Sequence, residues 1–186
     1  MLKLSKSFFI ILLVIVTFSL TACVSPLSGL KSYVSAEKGY EFLYPNGWVP
    51  MELDKNNKKV DLVFRDIIER SENLSVIVSK IPDNKTFADL GTPTEVGYRF
   101  FQELNDDPNS GRKVELVNAQ SREVKGNTYY TLEYEVELSD NQKRHDLASI
   151  AISRGKLYTF NLSVPENRWD KVKDSFNIIA KSFLVR

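Results

Sequence analysis

An α+β fold, a central antiparallel β-sheet flanked by helices, is predicted by three features of this sequence. Short runs of β-branched and aromatic residues recur between turn residues, as strands do. The connections between the last four runs are too short for crossovers, so those strands pair antiparallel. Two further segments repeat apolar residues at helical spacing, and helices laid on an antiparallel sheet define the class.

Taken in order, Val24 to Glu37 is rich in Ser, carries one Pro and one Gly, and has no periodic apolar pattern. With Cys23 it reads as a tether over 23–37, ahead of a folded domain over 38–186. Tyr40 to Tyr44 alternates aromatic with other residues, and Pro45-Asn46-Gly47 then turns the chain before Trp48, which reads as a strand entering a hairpin. Val60 to Phe64 and Leu74 to Ile81 are strands. The second is central, because Val76, Ile77 and Val78 are contiguous. Lys55 to Lys59 is the loop before them. Thr94 caps a helix whose first turn holds Glu95. Val96, Phe100 and Leu104 line one face of it, and Asn105 to Gly111 closes it in a loop. Strands follow at Val114 to Glu123, Tyr129 to Leu138, Asp146 to Ile152 and Lys156 to Val164. A last helix begins after Pro165, with Trp169, Val172, Phe176, Ile179 and Phe183 on one stripe.

Arg154-Gly155 between two alternating runs predicts a two-residue hairpin turn, since Gly accepts the positive φ such turns demand. Opposed residue numbers then sum to 309, which places His145, the only histidine, across from Val164. Glu166 lies two residues beyond that partner, and Asp146 is adjacent in sequence. An imidazole and a carboxylate at this spacing can share a divalent ion, zinc or manganese suiting mixed nitrogen and oxygen donors. The same pair can equally form a plain hydrogen bond. His145 and Glu166 are therefore the candidate metal ligands.

The N-terminus reads as an export signal over 1–22. Lys3 and Lys6 give it positive charge, and an apolar stretch from Phe8 to Leu20 follows. Leu20-Thr21-Ala22-Cys23 resembles the lipobox of bacterial lipoproteins, in which the cysteine takes a diacylglyceryl group and becomes the first residue after cleavage. The apolar stretch is shorter than the ~20 residues of a spanning helix, and a lone cysteine can form no internal disulfide. Lipid attachment of Cys23 accounts for both, and two or more acyl chains hold a domain stably on a membrane.

With 25 basic and 24 acidic residues the net charge is +1, which argues against a nucleic-acid binder or a polybasic membrane patch. The length after the signal suits one domain, read as a monomer. Catalytic constellations are lacking. One histidine and one acylated cysteine cannot build a Cys-His pair, and no Gly-x-Ser-x-Gly elbow or phosphate-cradling Gly-rich loop occurs. The acidic pair Glu133 and Glu135 reads as a solvated strand face. An enzyme is not expected. Two charged loops, Asp54 to Lys59 and Ser139 to Arg144, are the candidate docking surfaces.

One ordered set of motifs spans nearly all of the chain beyond the tether. It comprises Gly39-Tyr40-Glu41-Phe42-Leu43-Tyr44-Pro45-Asn46-Gly47-Trp48, Asn73-Leu74-Ser75-Val76, Leu90-Gly91-Thr92-Pro93 with Glu95-Val96, and Tyr129-Tyr130. His145, Gly155-Lys156-Leu157-Tyr158 and Arg168-Trp169 complete it. This string resembles the PsbP family, extrinsic proteins on the lumenal side of photosystem II, and with the lipobox it is most similar to the family's cyanobacterial lipoprotein branch. The resemblance implies an α/β/α sandwich of the Mog1 type. It implies binding to photosystem II or its assembly intermediates in support of assembly or water oxidation, from the lumenal side of the thylakoid membrane and through a lipid anchor. Plant members help retain calcium and chloride, and bind manganese or zinc through a His and an Asp. The His matches His145, while the Asp position falls on Glu166. No cofactor is required by this reading, and zinc, manganese or calcium is a possible weak ligand. The alternative is a lipid-anchored protein that binds and delivers a divalent metal.

Overall fold

A computed structural model describes residues 28–53, 60–82, 85–105 and 111–186. Cys23, the signal 1–22 and the loop Asp54 to Lys59 lie outside the described residues. Among the described residues, ten strands and three helices follow in the order β1 (Leu30–Ser35), β2 (Tyr40–Pro45), β3 (Trp48–Pro50), β4 (Leu62–Asp66), β5 (Asn73–Lys80), α1 (Phe87–Leu90), α2 (Pro93–Asn105), β6 (Lys113–Val124), β7 (Asn127–Glu137), β8 (Lys143–Ser153), β9 (Lys156–Pro165), α3 (Glu166–Ser182) and β10 (Leu184–Val185).

Seven strands form one antiparallel sheet in the order β3-β4-β5-β9-β8-β7-β6. Between β5 and β6 the chain crosses the sheet through α1 and α2, and β6 to β9 then return by successive hairpins until β9 meets β5. The two tight turns have the expected chemistry. Arg154 and Gly155 both adopt positive φ, as do Lys125 and Gly126, which is the signature of the turn whose twist matches a hairpin.

Period-2 alternation splits the sheet residues between two cores. On one face α2 packs on β6 and β7 through Val96, Val114, Leu132, Tyr134 and Val136. There Gly97 is what lets the helix close on the sheet: a Cβ at that position would lie 2.9 Å from both methyls of Leu116. On the other face α3 packs on β8, β9 and β2, with Phe160, Leu162, Phe176, Ile179 and Phe183 fully buried. Helices on both faces make the expected α/β/α sandwich. Beside α2 the exposed part of the sheet floors a cleft of about 770 Å³ with Ser75, Ser79, Thr159 and Asn161 among its lining. Ile77, Leu90, Phe100 and Leu157 line the same cleft, so its wall is mixed and not wholly polar.

Three expectations are corrected. The stretch read as tether contains β1, paired with β2 from Leu30↔Pro45 to Ser35↔Tyr40, so ordered structure starts before residue 38. The turn at Pro45-Asn46-Gly47 joins no hairpin. It passes the chain from the small sheet β1-β2-β10 to the edge of the large one. The cap of α2 is Thr92, not Thr94: Thr92 N–H donates to Glu95 Oε2 at 2.7 Å and Glu95 N–H donates to Thr92 Oγ1 at 3.3 Å, with Pro93 at the first helical position.

Candidate functional site around His145

His145 sits across from Val164 in the observed register, as the hairpin arithmetic required. Pro165, at φ −58°, ends β9 and precedes α3, whose first residue is Glu166. An acid in that turn complements the helix dipole. Three residues on, Trp169 shares its helical face. Both side chains turn onto the imidazole. Glu166 Oε2 lies 3.0 Å from His145 Nδ1, and the Trp169 ring stacks on it with centroids 3.9 Å apart and planes 11° from parallel.

From the neighbouring strand Glu135 is the direct partner of His145, and Glu133 lies two residues along the same face. Glu133 Oε1 is 2.8 Å from His145 Nε2. His145 is thus 3% exposed, its imidazole clamped by carboxylates at both nitrogens and covered by an indole. Asp146, adjacent in sequence, points to the opposite face. It accepts hydrogen bonds from Ser163 and Asn161 and takes no part in the site.

Sequence reasoning brought His145 and Glu166 together and missed the other carboxylates and the indole. The missed signal is the second hairpin. Leu138 N–H donates to Gln142 C=O at 2.8 Å across its loop, and that register puts Glu135 opposite His145. The loop is longer than two residues, so no turn motif announces its register. The Ser139 to Arg144 surface is also partly engaged. Arg144 bonds the Ser163 hydroxyl at 2.9 Å and the Ser71 carbonyl at 2.7 Å.

A neutral imidazole offers one donor and one acceptor, while carboxylates only accept. One of the two contacts therefore needs a further proton, carried by the ring or by a carboxyl, or a cation bound close by. Ligand atoms of Glu135, His145 and Glu166 all lie within 4.8 Å of one another, a spacing at which three such groups could hold a metal ion. One imidazole with two carboxylates suits zinc or manganese, whereas calcium prefers a shell of oxygens alone.

The α3 end of the site is pinned from the loop between β4 and β5. Arg168 pairs with Glu72, which is 4% exposed, and with Glu69 at 3.3 Å. This pair holds the turn that carries Glu166 and Trp169.

A family model described as PsbP matches residues 28–185 of this chain. The chain is 51% identical over 187 aligned positions to CyanoP of Synechocystis sp., covering 100% of both proteins. It is 46% identical over 184 positions to CyanoP of Thermosynechococcus vestitus, covering 97% of this chain and 98% of that protein. Among solved structures, the solution structure of cyanobacterial PsbP (CyanoP) from Synechocystis sp. matches with a TM-score of 0.74 and 52% identity, covering 90% of this chain and 99% of that one.

Proposed function

The chain belongs to the PsbP family, and from that premise we propose that it is a non-enzymatic protein, lipid-anchored at Cys23 on the lumenal side of the thylakoid membrane, that docks on photosystem II or its assembly intermediates. The observation that carries this reading is the 51% identity to CyanoP of Synechocystis sp. with 100% of both chains covered. The lipobox-like Leu20-Thr21-Ala22-Cys23 supports the anchor. An anchor confines the body to two dimensions and raises its effective concentration near membrane complexes, so a weak docking surface suffices. Tagged protein drawn from thylakoids in mild detergent is expected to bring photosystem II reaction-centre subunits with it. Recovery of the bait without those subunits would sink the proposal. A Cys23→Ser variant is expected to leave the membrane fraction while keeping its fold.

A second reading rests on the site itself. Glu135, His145 and Glu166 would hold a divalent ion of the zinc or manganese kind, and the ion would bridge β7, β8 and α3. Bound there, it would supply charge compensation between the carboxylates. Calorimetric titration with zinc, manganese and calcium, followed in parallel by Trp169 emission, tests it. Binding of zinc or manganese that disappears in His145→Ala is expected. Titrations that are flat, or identical in the variant, rule the reading out.

A further inference from the structure

Two isoleucines stand in solvent at the end of the molecule from which the N-terminal segment leaves. Ile68 is 87% exposed and Ile67 57% exposed. Their loop, between β4 and β5, is held rather than slack. The Asp66 carboxylate accepts the N–H of Ile68 at 2.6 Å and of Glu69 at 2.9 Å, Glu72 N–H donates to Glu69 C=O at 2.8 Å, and Glu69 reaches Arg168. A turn capped in this way presents its apolar tip outward as a fixed feature.

The tip is joined directly to the start of the described chain. Ile67 N–H donates to Gly47 C=O at 3.2 Å, and Asn46 N–H donates to Gly29 C=O at 2.7 Å. Gly29 is six residues beyond Cys23, so fully extended chain can separate the two by only about 20 Å. An acylated Cys23 therefore keeps this end of the body at the bilayer surface. Scattered exposed apolar residues are ordinary, but an adjacent pair on a rigid tip beside a lipid anchor has a surface within reach.

We infer that the Ile67–Ile68 tip enters the headgroup region of the membrane and, with the acylated Cys23, sets the orientation of the body on it. This rests on the lipid anchor proposed above. The occupant is lipid and not an acidic or basic partner, because Arg65 and Arg70 balance Asp66 and Glu69 across the tip and leave apolar contact as the attraction. Bound this way, the molecule stands with β1's first residue, the tip and the His145 end of the sheet toward the bilayer. The turn at Lys125 and Gly126 lies at the other end of the strands, on the order of 30 Å away.

The test uses the full chain acylated at Cys23, in which Ser71→Cys supplies the only free thiol. A fluorophore there, and in a separate Lys125→Cys protein, is read in phosphatidylcholine vesicles carrying a lipid spin-labelled high on its acyl chain. Quenching is expected at 71 and not at 125, unchanged in high salt, and lost at 71 when Ile67→Ser/Ile68→Ser is added. A chain that floats with the vesicles but is unquenched at 71 overturns the tip and leaves the anchor standing. Quenching that salt abolishes, or that survives the double substitution, also overturns it. Protection of the probe only in thylakoid membranes would assign the tip to a protein partner instead. A chain that does not float removes anchor and tip together.

Discussion

At the scale of single residues, His145 and Asp146 show how one step along a strand changes the chemistry available. His145 faces α3 and meets two glutamates and an indole. Asp146 faces the other way, where burial pushes its carboxyl above the usual carboxylate range against the opposing bonds from Ser163 and Asn161 and the charges of Arg144 and His145. A carboxyl raised in the folded state holds its proton more tightly there than in the unfolded chain. Stability from this group is thus full below the ordinary carboxylate pKa of about 3.9 and falls as pH rises toward the folded value. Asp146→Asn keeps the shape and removes the titration. It is expected to equal the parent at low pH and to exceed it in thermal stability near pH 7. Equal pH profiles for the two proteins would show that the buried carboxyl carries no such cost.

At the scale of elements, the strongest local signals were legible and the composite ones were not. Arg154-Gly155 specified its hairpin because both turn positions need φ > 0 and Gly supplies one of them, and this register alone placed His145 beside Glu166. The cap of α2 was displaced by two residues. Thr92-Pro93-Thr94-Glu95 offers two threonines, and only the one three residues before Glu95 can exchange bonds with it. Thr92→Ala is expected to cost about 1 kcal/mol in chemical denaturation, and Thr94→Ala much less; a larger loss at Thr94 would contradict the assignment. The first turn of α3 depends on a contact that no local pattern encodes, Arg168 to Glu72 on a distant loop. Arg168→Met strands the Glu72 carboxylate and is expected to cost about 2–3 kcal/mol, less than for a fully enclosed pair because Arg168 is 29% exposed. Adding Glu72→Gln should recover most of that loss. Failure to recover would mean that Arg168 acts through its packing and not its charge.

At the scale of the whole molecule, the first strand decides where the folded body begins. β1 escaped detection because Leu-Lys-Ser-Tyr-Val-Ser spaces its half-buried apolar residues, Leu30 and Tyr33, three apart, and Val34 faces solvent at 51% exposure. Residues three apart point to opposite faces of a strand, so this pair leaves no period-2 signal to read. Tyr33 nonetheless enters the aromatic core, 5.1 Å from Phe42 and 5.6 Å from Phe64 between ring centroids. Without β1, the strand β2 would pair only with the two residues of β10. Deleting 24–35 so that Cys23 joins Ala36 therefore removes a half-buried tyrosine and a run of ladder hydrogen bonds, together worth roughly 3 kcal/mol. For a domain of this size the expected fall in Tm is about 6–12 °C. Deleting 24–28 alone should leave Tm unchanged, because ordered pairing starts at Leu30. Hydrogen exchange adds a spatial readout, since loss of β1 frees the β2 amides at Phe42 and Tyr44 while those of β9 stay protected. Equal melting of the two deletions would return 30–35 to the role of a tether, and would also uncouple the anchor from the orientation of the sheet behind it.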